Sequence, residues 1–304
     1  MPQRNATLPS KAALPTLRHA LLAWHRKHGL RAPWRISGDP YHVLVAAVMA
    51  QQTQMSRVLP KYDDFIAAFP TIEALARASI ARVLRIWAPL GYNIRAVRLH
   101  RAAKRIVRDG GFPRRADELE EIEGIGPFTA AIVASFAFGE PAAAIDTNVE
   151  RVVRRLAGDI DGRLSARAVA EATERLLAGR SPARWNQAMM DLGGVVCTSR
   201  SPRCNACPVA RWCRARPLFE RRVAERRAPS RTQPPFPRSS RYYRGRIVQA
   251  LRELPAGASI SRRALLSRLP DRDGLDAATF RALIDALSHD GLVRIDATGR
   301  LRLP

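Results

Sequence analysis

Four cysteines, Cys197, Cys204, Cys207 and Cys213, fall in one short stretch with the spacing C-x6-C-x2-C-x5-C, and the sequence has no others. Thiolates bind metals, so four in one loop can wrap a single metal centre, and in a reducing compartment that reading precedes disulfides. A zinc site usually shows two close pairs, and here one pair alone is close. A second stretch, Ile122-Glu123-Gly124-Ile125-Gly126-Pro127-Phe128-Thr129-Ala130, puts two glycines in a tight turn just before a helix that Pro127 is suited to start. Such a turn can aim bare amides at a phosphate oxygen, helped by the positive end of the helix. A third, Ala144-Ile145-Asp146-Thr147-Asn148-Val149, carries an acid twenty residues after Gly126. Asp146 can serve as a carboxylate that stabilises a developing positive charge, as the N-cap of a helix beginning just before Val149, or as both.

The elements that must position these residues are helical. Apolar residues recur at helical spacing in Leu17, Leu21, Leu22 and Trp24, from Ile72 to Leu84, and in Val149, Val152, Val153 and Leu156. No strand pair is expected before residue 290. From Arg214 to Arg241 prolines and arginines crowd out core-forming residues, which marks a linker. Beyond it, Tyr243 to Leu254, Ser261 to Leu269 and Ala277 to Leu287 read as three helices. Leu292-Val293-Arg294-Ile295 and Leu301-Arg302-Leu303 then flank a turn at Thr298-Gly299, so the C-terminal region is expected to be a winged helix. The expected divisions are an N-terminal segment (1–32) packing on the metal lobe, a six-helix domain with the hairpin (33–145), the cysteine domain (146–215), an Arg/Pro-rich linker (216–241) and the winged-helix-like domain (242–304).

The formal net charge of +24 over 304 residues points to a polyanionic partner, nucleic acid first. Nearly all of that charge is arginine, whose planar forks grip phosphate bidentately; the lysines are Lys11, Lys27, Lys61 and Lys104 alone. No stretch approaches a membrane span, and Met1 to Pro15 lacks the apolar core of a signal peptide. The chain is therefore expected in the cytoplasm, at the nucleoid.

From Pro33-Trp34 through Cys213, about two thirds of its length, the sequence resembles the helix-hairpin-helix DNA glycosylases of the endonuclease III and MutY type. Besides the hairpin, Asp146 and the cysteine spacing, the matching segments are Met49 to Gln54 (MAQQTQ), Leu90-Gly91-Tyr92 and Arg184 to Gly193 (RWNQAMMDLG). The resemblance implies an all-α, two-lobed fold, a [4Fe-4S] cluster on the four cysteines, and a monomer acting on double-stranded DNA that holds a mismatched or damaged base. It casts Asp146 as the catalytic aspartate, Gly124, Gly126 and Thr129 of the hairpin as DNA-binding, and Gln51 or Gln52 with Tyr92 as the groups that enter the base stack. The base must be flipped out because the glycosidic bond is unreachable inside a duplex.

Two departures from the relatives bear on subtype. Lyase members carry a lysine where this chain has Phe128, so the resemblance implies a monofunctional enzyme that leaves an intact abasic site. MutY-type enzymes place a proton-donating glutamate where this chain has Ala47, with no acid between Tyr41 and Arg57, and they carry a Nudix-like domain for which the C-terminal region is too short. Loss of a general acid costs roughly a hundredfold to ten-thousandfold. The expectation is therefore a glycosylase that removes thymine or uracil opposite guanine. The alternatives are an adenine glycosylase acting opposite 8-oxoguanine or guanine, and a non-catalytic DNA-binding protein.

Overall fold

A computed structural model of the chain describes residues 8–177, 181–221 and 235–304. Of the expected linker, 222–234 lie outside the described residues. As expected, the fold is almost wholly helical. The chain divides into two compact units, the first holding the described residues through Leu44, Pro113–Glu121 and those from Ile125 to Arg221. The second holds Val45–Phe112, Ile122–Gly124 and the described residues from 235 onward.

In the first unit, helix Leu14–His28 sends Leu17 and Leu21 into one core with Trp185 and Met189 of Pro182–Asp191, Val149, Val152, Val153 and Leu156 of Thr147–Leu156, and Val169, Ala172 and Leu176 of Ala166–Leu176. Each such large apolar side chain contributes about 1.5–3 kcal/mol by leaving water. Asp191, at the end of its helix, ties in the segment after Leu14–His28. Its carboxylate accepts hydrogen bonds from Leu30 N at 2.8 Å, from both Arg35 terminal nitrogens at 2.8 and 3.0 Å, and from His25 Nε2 at 3.2 Å. Burial alone would raise its pKa, but the His25 and Arg35 hydrogen bonds and the guanidinium charge bring it down to about 2.

The second unit packs Met55–Ala68, Ile72–Arg77, Ile80–Trp87 and Ile94–Arg108 around Phe65, Phe69, Leu75, Leu84, Trp87 and Leu99. Thr71 and Ser79 cap the two middle helices by accepting from Ala74 N and Arg82 N. Its C-terminal part holds helices Ser240–Arg252, Arg262–Ser267 and Ala277–His289, followed by an antiparallel pair in which Arg294 faces Arg302 and Ile295 faces Leu301. This is the expected winged-helix plan. The pattern had not revealed that Ile260 bridges the other side of Leu301, through bonds of 2.9 and 2.8 Å; a single paired residue leaves no alternation to read.

Candidate active site and cysteine pocket

Asp146 stands in extended conformation as the N-cap of helix Thr147–Leu156. Its Oδ1 accepts from Asn148 N at 2.9 Å and Val149 N at 2.7 Å, and its Oδ2 accepts from Asn148 Nδ2 at 3.0 Å. The carboxylate is half-buried, with the positive end of a helix behind it. Asn148 is held in turn: Arg151 Nη2 donates to its Oδ1 at 2.8 Å and to Gly193 O at 2.7 Å, while Arg151 Nε donates to Cys197 O at 2.8 Å. Gly193 makes that closeness possible, because a Cβ there would lie 2.7 Å from Asn148 Cβ. The strand-like approach to Asp146 is fixed by buried Asn186, which accepts from Ala144 N at 3.2 Å and donates to Ala142 O at 2.8 Å and Ser135 Oγ at 3.0 Å.

The hairpin ahead of this site follows the glycine logic of the sequence. Gly124 has φ +93°, and a Cβ on it would meet Arg98 Cβ at 2.8 Å. Gly126 is the N-cap of Pro127–Phe138 with Pro127 in the first turn, and both glycines are exposed. Thr129 is buried and Phe128 half-buried, while Glu123 and Pro127 are exposed beside the two glycines.

The four cysteines line one pocket with Arg155, Val196, Pro202, Arg203, Ala210, Arg216 and Phe219. Among the described residues no three ligating side chains gather tightly around a point for one metal ion. Four cysteines lining one pocket are the donor set that an iron-sulfur cluster takes. Burial pushes the Cys207 thiol up to about 12 and Cys213 to about 11, with the neighbouring thiols adding to the rise. Only a strongly cationic centre would hold such groups as thiolates. Arg155, fully buried, donates to Cys197 Sγ at 3.3 Å, to Thr198 O at 2.8 Å and to Ser199 O at 3.2 Å, with its guanidinium 5.0 Å from the Phe219 ring. Arg200, Arg203, Arg211 and Arg214 of the same loop are exposed.

In the second unit, Ala47 is buried within an unbroken apolar run from Val43 to Met49. Gln52 (φ +53°) and Tyr92 (φ +44°) both hold left-handed backbone at exposed loop tips. One buried guanidinium joins those loops. Arg95 donates to Val48 O and Met49 O at 3.1 and 2.9 Å, to Gln51 O, to Thr53 Oγ1 at 3.2 Å, and to Gly91 O at 3.2 Å. It also lies 5.6 Å from the Tyr92 ring. The sequence reading singled out Gln51, Gln52 and Tyr92 but missed Arg95, as it missed Arg151, Arg155 and Asn186. In a chain so rich in arginine, nothing local marks the few that are buried.

The family model of "HhH-GPD superfamily base excision DNA repair protein" matches residues 45–179. An adenine DNA glycosylase of Mycobacterium tuberculosis is 37% identical over 93% of this chain and 92% of its own length. The chain belongs to the HhH-GPD superfamily. Its activity is that of a DNA glycosylase of base excision repair, and its partner is DNA. A second relative carrying the name adenine DNA glycosylase, from Mycolicibacterium smegmatis, is 37% identical over 93% of this chain and 94% of its own length. The solved structure of a thermostable thymine-DNA glycosylase superposes with a TM-score of 0.64 at 26% identity, covering 68% of this chain and 98% of that one. The near end-to-end mycobacterial matches correct one expectation: a C-terminal region of this length is compatible with relatives of the adenine name, so length does not separate the subtypes. Among the described residues no helix is long and apolar enough to cross a membrane.

Proposed function

We propose that this superfamily member is a monofunctional mismatch glycosylase, removing thymine or uracil opposite guanine from double-stranded DNA. The observation that carries the reading is Ala47: the helix that bears the proton donor in MutY-type enzymes is here apolar from Val43 to Met49 and buried. Purine departure is eased by protonating the ring, and a pyrimidine has no N7 to protonate. The likeness to a thymine-DNA glycosylase points the same way.

In this reading Gln51 or Gln52 and Tyr92 fill the space left by the everted nucleotide, and the Gly124 to Gly126 amides grip a phosphate. Asp146 faces the sugar, where its carboxylate stabilises the cation formed as the base departs and orients the attacking water. Cys197, Cys204, Cys207 and Cys213 would hold a [4Fe-4S] cluster, which organises the loop bearing the four exposed arginines. Phe128 supplies no amine, so borohydride should trap no covalent protein–DNA adduct; a trapped adduct would contradict the monofunctional reading. The second reading, adenine opposite 8-oxoguanine or guanine, is favoured by the full-length mycobacterial relatives. Incubation with labelled G:T, G:U and A:8-oxoguanine duplexes decides: alkali-dependent nicking of G:T or G:U is expected, and nicking of A:8-oxoguanine alone selects adenine. Release of no base from any duplex would leave a DNA-binding protein without catalysis.

A further inference from the structure

The C-terminal module has the plan of a DNA reader, but its exposed arginines, Arg262, Arg263, Arg268 and Arg294 among them, lie off the helix that would read a groove. Its third helix, Ala277–His289, turns Ala278, Thr279, Ala282, Asp285 and Ala286 to solvent, with Arg281 its one arginine. A groove-reading helix depends on phosphate-gripping cations and base-contacting polar groups, and this face offers few of either. The module's close contacts lie elsewhere. At Gly291 (φ +73°) a Cβ would come within 3.1 Å of Arg101 Nη2 and 3.6 Å of Val97 Cγ1, both on helix Ile94–Arg108. Ala81 N donates to Pro304 O at 3.0 Å, and Arg85 Nη2 donates to Leu254 O at 3.2 Å, just past helix Ser240–Arg252.

Between these anchors Arg252 is half-buried, and its Nη2 donates to Asn93 Oδ1, the residue next to Tyr92. Its Nε has no acceptor among the described residues. Burial pulls its pKa down to about 10, which still leaves it charged at neutral pH. A cation partly withdrawn from water, with its Nε inaccessible and unsatisfied, is costly unless it does something a neutral side chain cannot. What it touches is a loop whose tip, Tyr92, keeps a left-handed backbone that an L residue abandons unless its surroundings hold it. Arg95 then ties the same loop to the Gln51 turn.

We propose that the C-terminal module is a buttress for the DNA-inserting loop, with Arg252 the positioning residue that holds Asn93, and through it Tyr92, in register with the Gln51–Gln52 turn. The proposal rests on the reading that Tyr92 enters the base stack. A wedge that must part stacked bases works only if it does not yield, and this loop is gripped from two sides, by Arg95 and by the module.

The test uses the full chain with Arg252→Met, Asn93→Ala and the double variant. Hydrogen exchange of residues 90–95 in the free protein reads the loop directly and does not depend on what the loop does. Fluorescence of a 2-aminopurine beside a G:T pair reads insertion, and affinity for a matched duplex reads the phosphate grip. Each single variant should speed exchange in the loop about tenfold and cut the insertion signal by a similar factor, as loss of one hydrogen bond to a charged group implies. Matched-duplex affinity should stay within about twofold, and the double variant should be no worse than either single one. Unchanged loop exchange in both singles overturns the buttress, as does a loss of duplex affinity in Arg252→Met matched by Arg281→Ala, which would make the module a DNA contact. Tyr92→Ala separates the two readings. If it leaves the fluorescence signal whole while Arg252→Met still loosens the loop, the insertion reading has failed and the positioning role falls with it, although the contact itself stands.

Discussion

A deoxyribose that sheds its base becomes cationic, and a carboxylate helps it most when it need not reorganise at that moment. Asp146 meets that condition because three donors, two of them helix amides, fix both of its oxygens. Asp146→Asn keeps the size and the capping ability while removing the charge. Base release should therefore fall by roughly a hundredfold or more, with duplex affinity and melting temperature nearly unchanged; turnover equal to wild type would remove Asp146 from the chemistry. Gly193→Ala probes the support behind it. The new methyl would sit 2.7 Å from Asn148 Cβ and 2.9 Å from its carbonyl oxygen, so Asn148 must move. Such overpacking costs about 1–3 kcal/mol, and base release should slow along with the drop in melting temperature. A stability loss with full turnover would mean that Asn148 does not orient the carboxylate. At this scale the sequence exposed the residues with distinctive neighbours, Asp146 and the cysteines. It hid Arg151 and Asn186, whose roles come from partners tens of residues away.

Elements were easier to read than their joints. Periodicity located the three C-terminal helices and the terminal hairpin because each repeats a local pattern, whereas the Ile260 bridge, the Arg95 clasp and the Asp191 knot are single residues that act over long sequence separations. The Asp191 knot has a measurable signature. A carboxyl whose folded pKa lies near 2, below its unfolded value of 3.8, adds stability that is fully present above that unfolded value and is lost as pH falls through about 2. The shift corresponds to about 2 kcal/mol. Asp191→Asn should lower the melting temperature at neutral pH by several degrees and flatten the acid limb of the stability curve below about pH 4. A variant with the wild-type acid limb would place the acid sensitivity elsewhere. Holding the proposed cluster, the cysteine loop would be an element of another kind, one whose folding is coupled to what it binds. Cys207→Ser should lose bound iron and sulfide, lower the melting temperature and weaken duplex binding, since the exposed arginines are carried on the same loop. Full iron content in that variant would contradict the four-cysteine ligand set.

Charge belongs to the molecule as a whole. The formal excess of +24 is read straight from the sequence, but how much of it can face DNA is not, because the structure withdraws some arginines from service. Arg95, Arg155 and Arg252 are spent inside the protein on carbonyls, a thiol and an amide, while Arg154, Arg167 and Arg216 are paired with nearby carboxylates. Those of the cysteine loop, Arg200, Arg203, Arg211 and Arg214, remain exposed. Each phosphate neutralised releases condensed counterions, so the slope of log affinity against log salt counts the contacts actually made, at about 0.9 per phosphate. A protein holding some 6–10 phosphates loses roughly a thousandfold to a hundred-thousandfold in affinity between about 50 and 200 mM salt. Binding of a matched duplex should fall in that range, far short of what the whole formal charge would give. Neutralising Arg200 and Arg211 together should reduce the slope by about two and weaken all sequences alike. Asp146→Asn, which in the proposed reading changes the charge at the sugar and leaves the phosphate grip alone, should leave the slope unchanged. A slope near one in the wild-type protein would mean that the basic surface is not the DNA-binding surface.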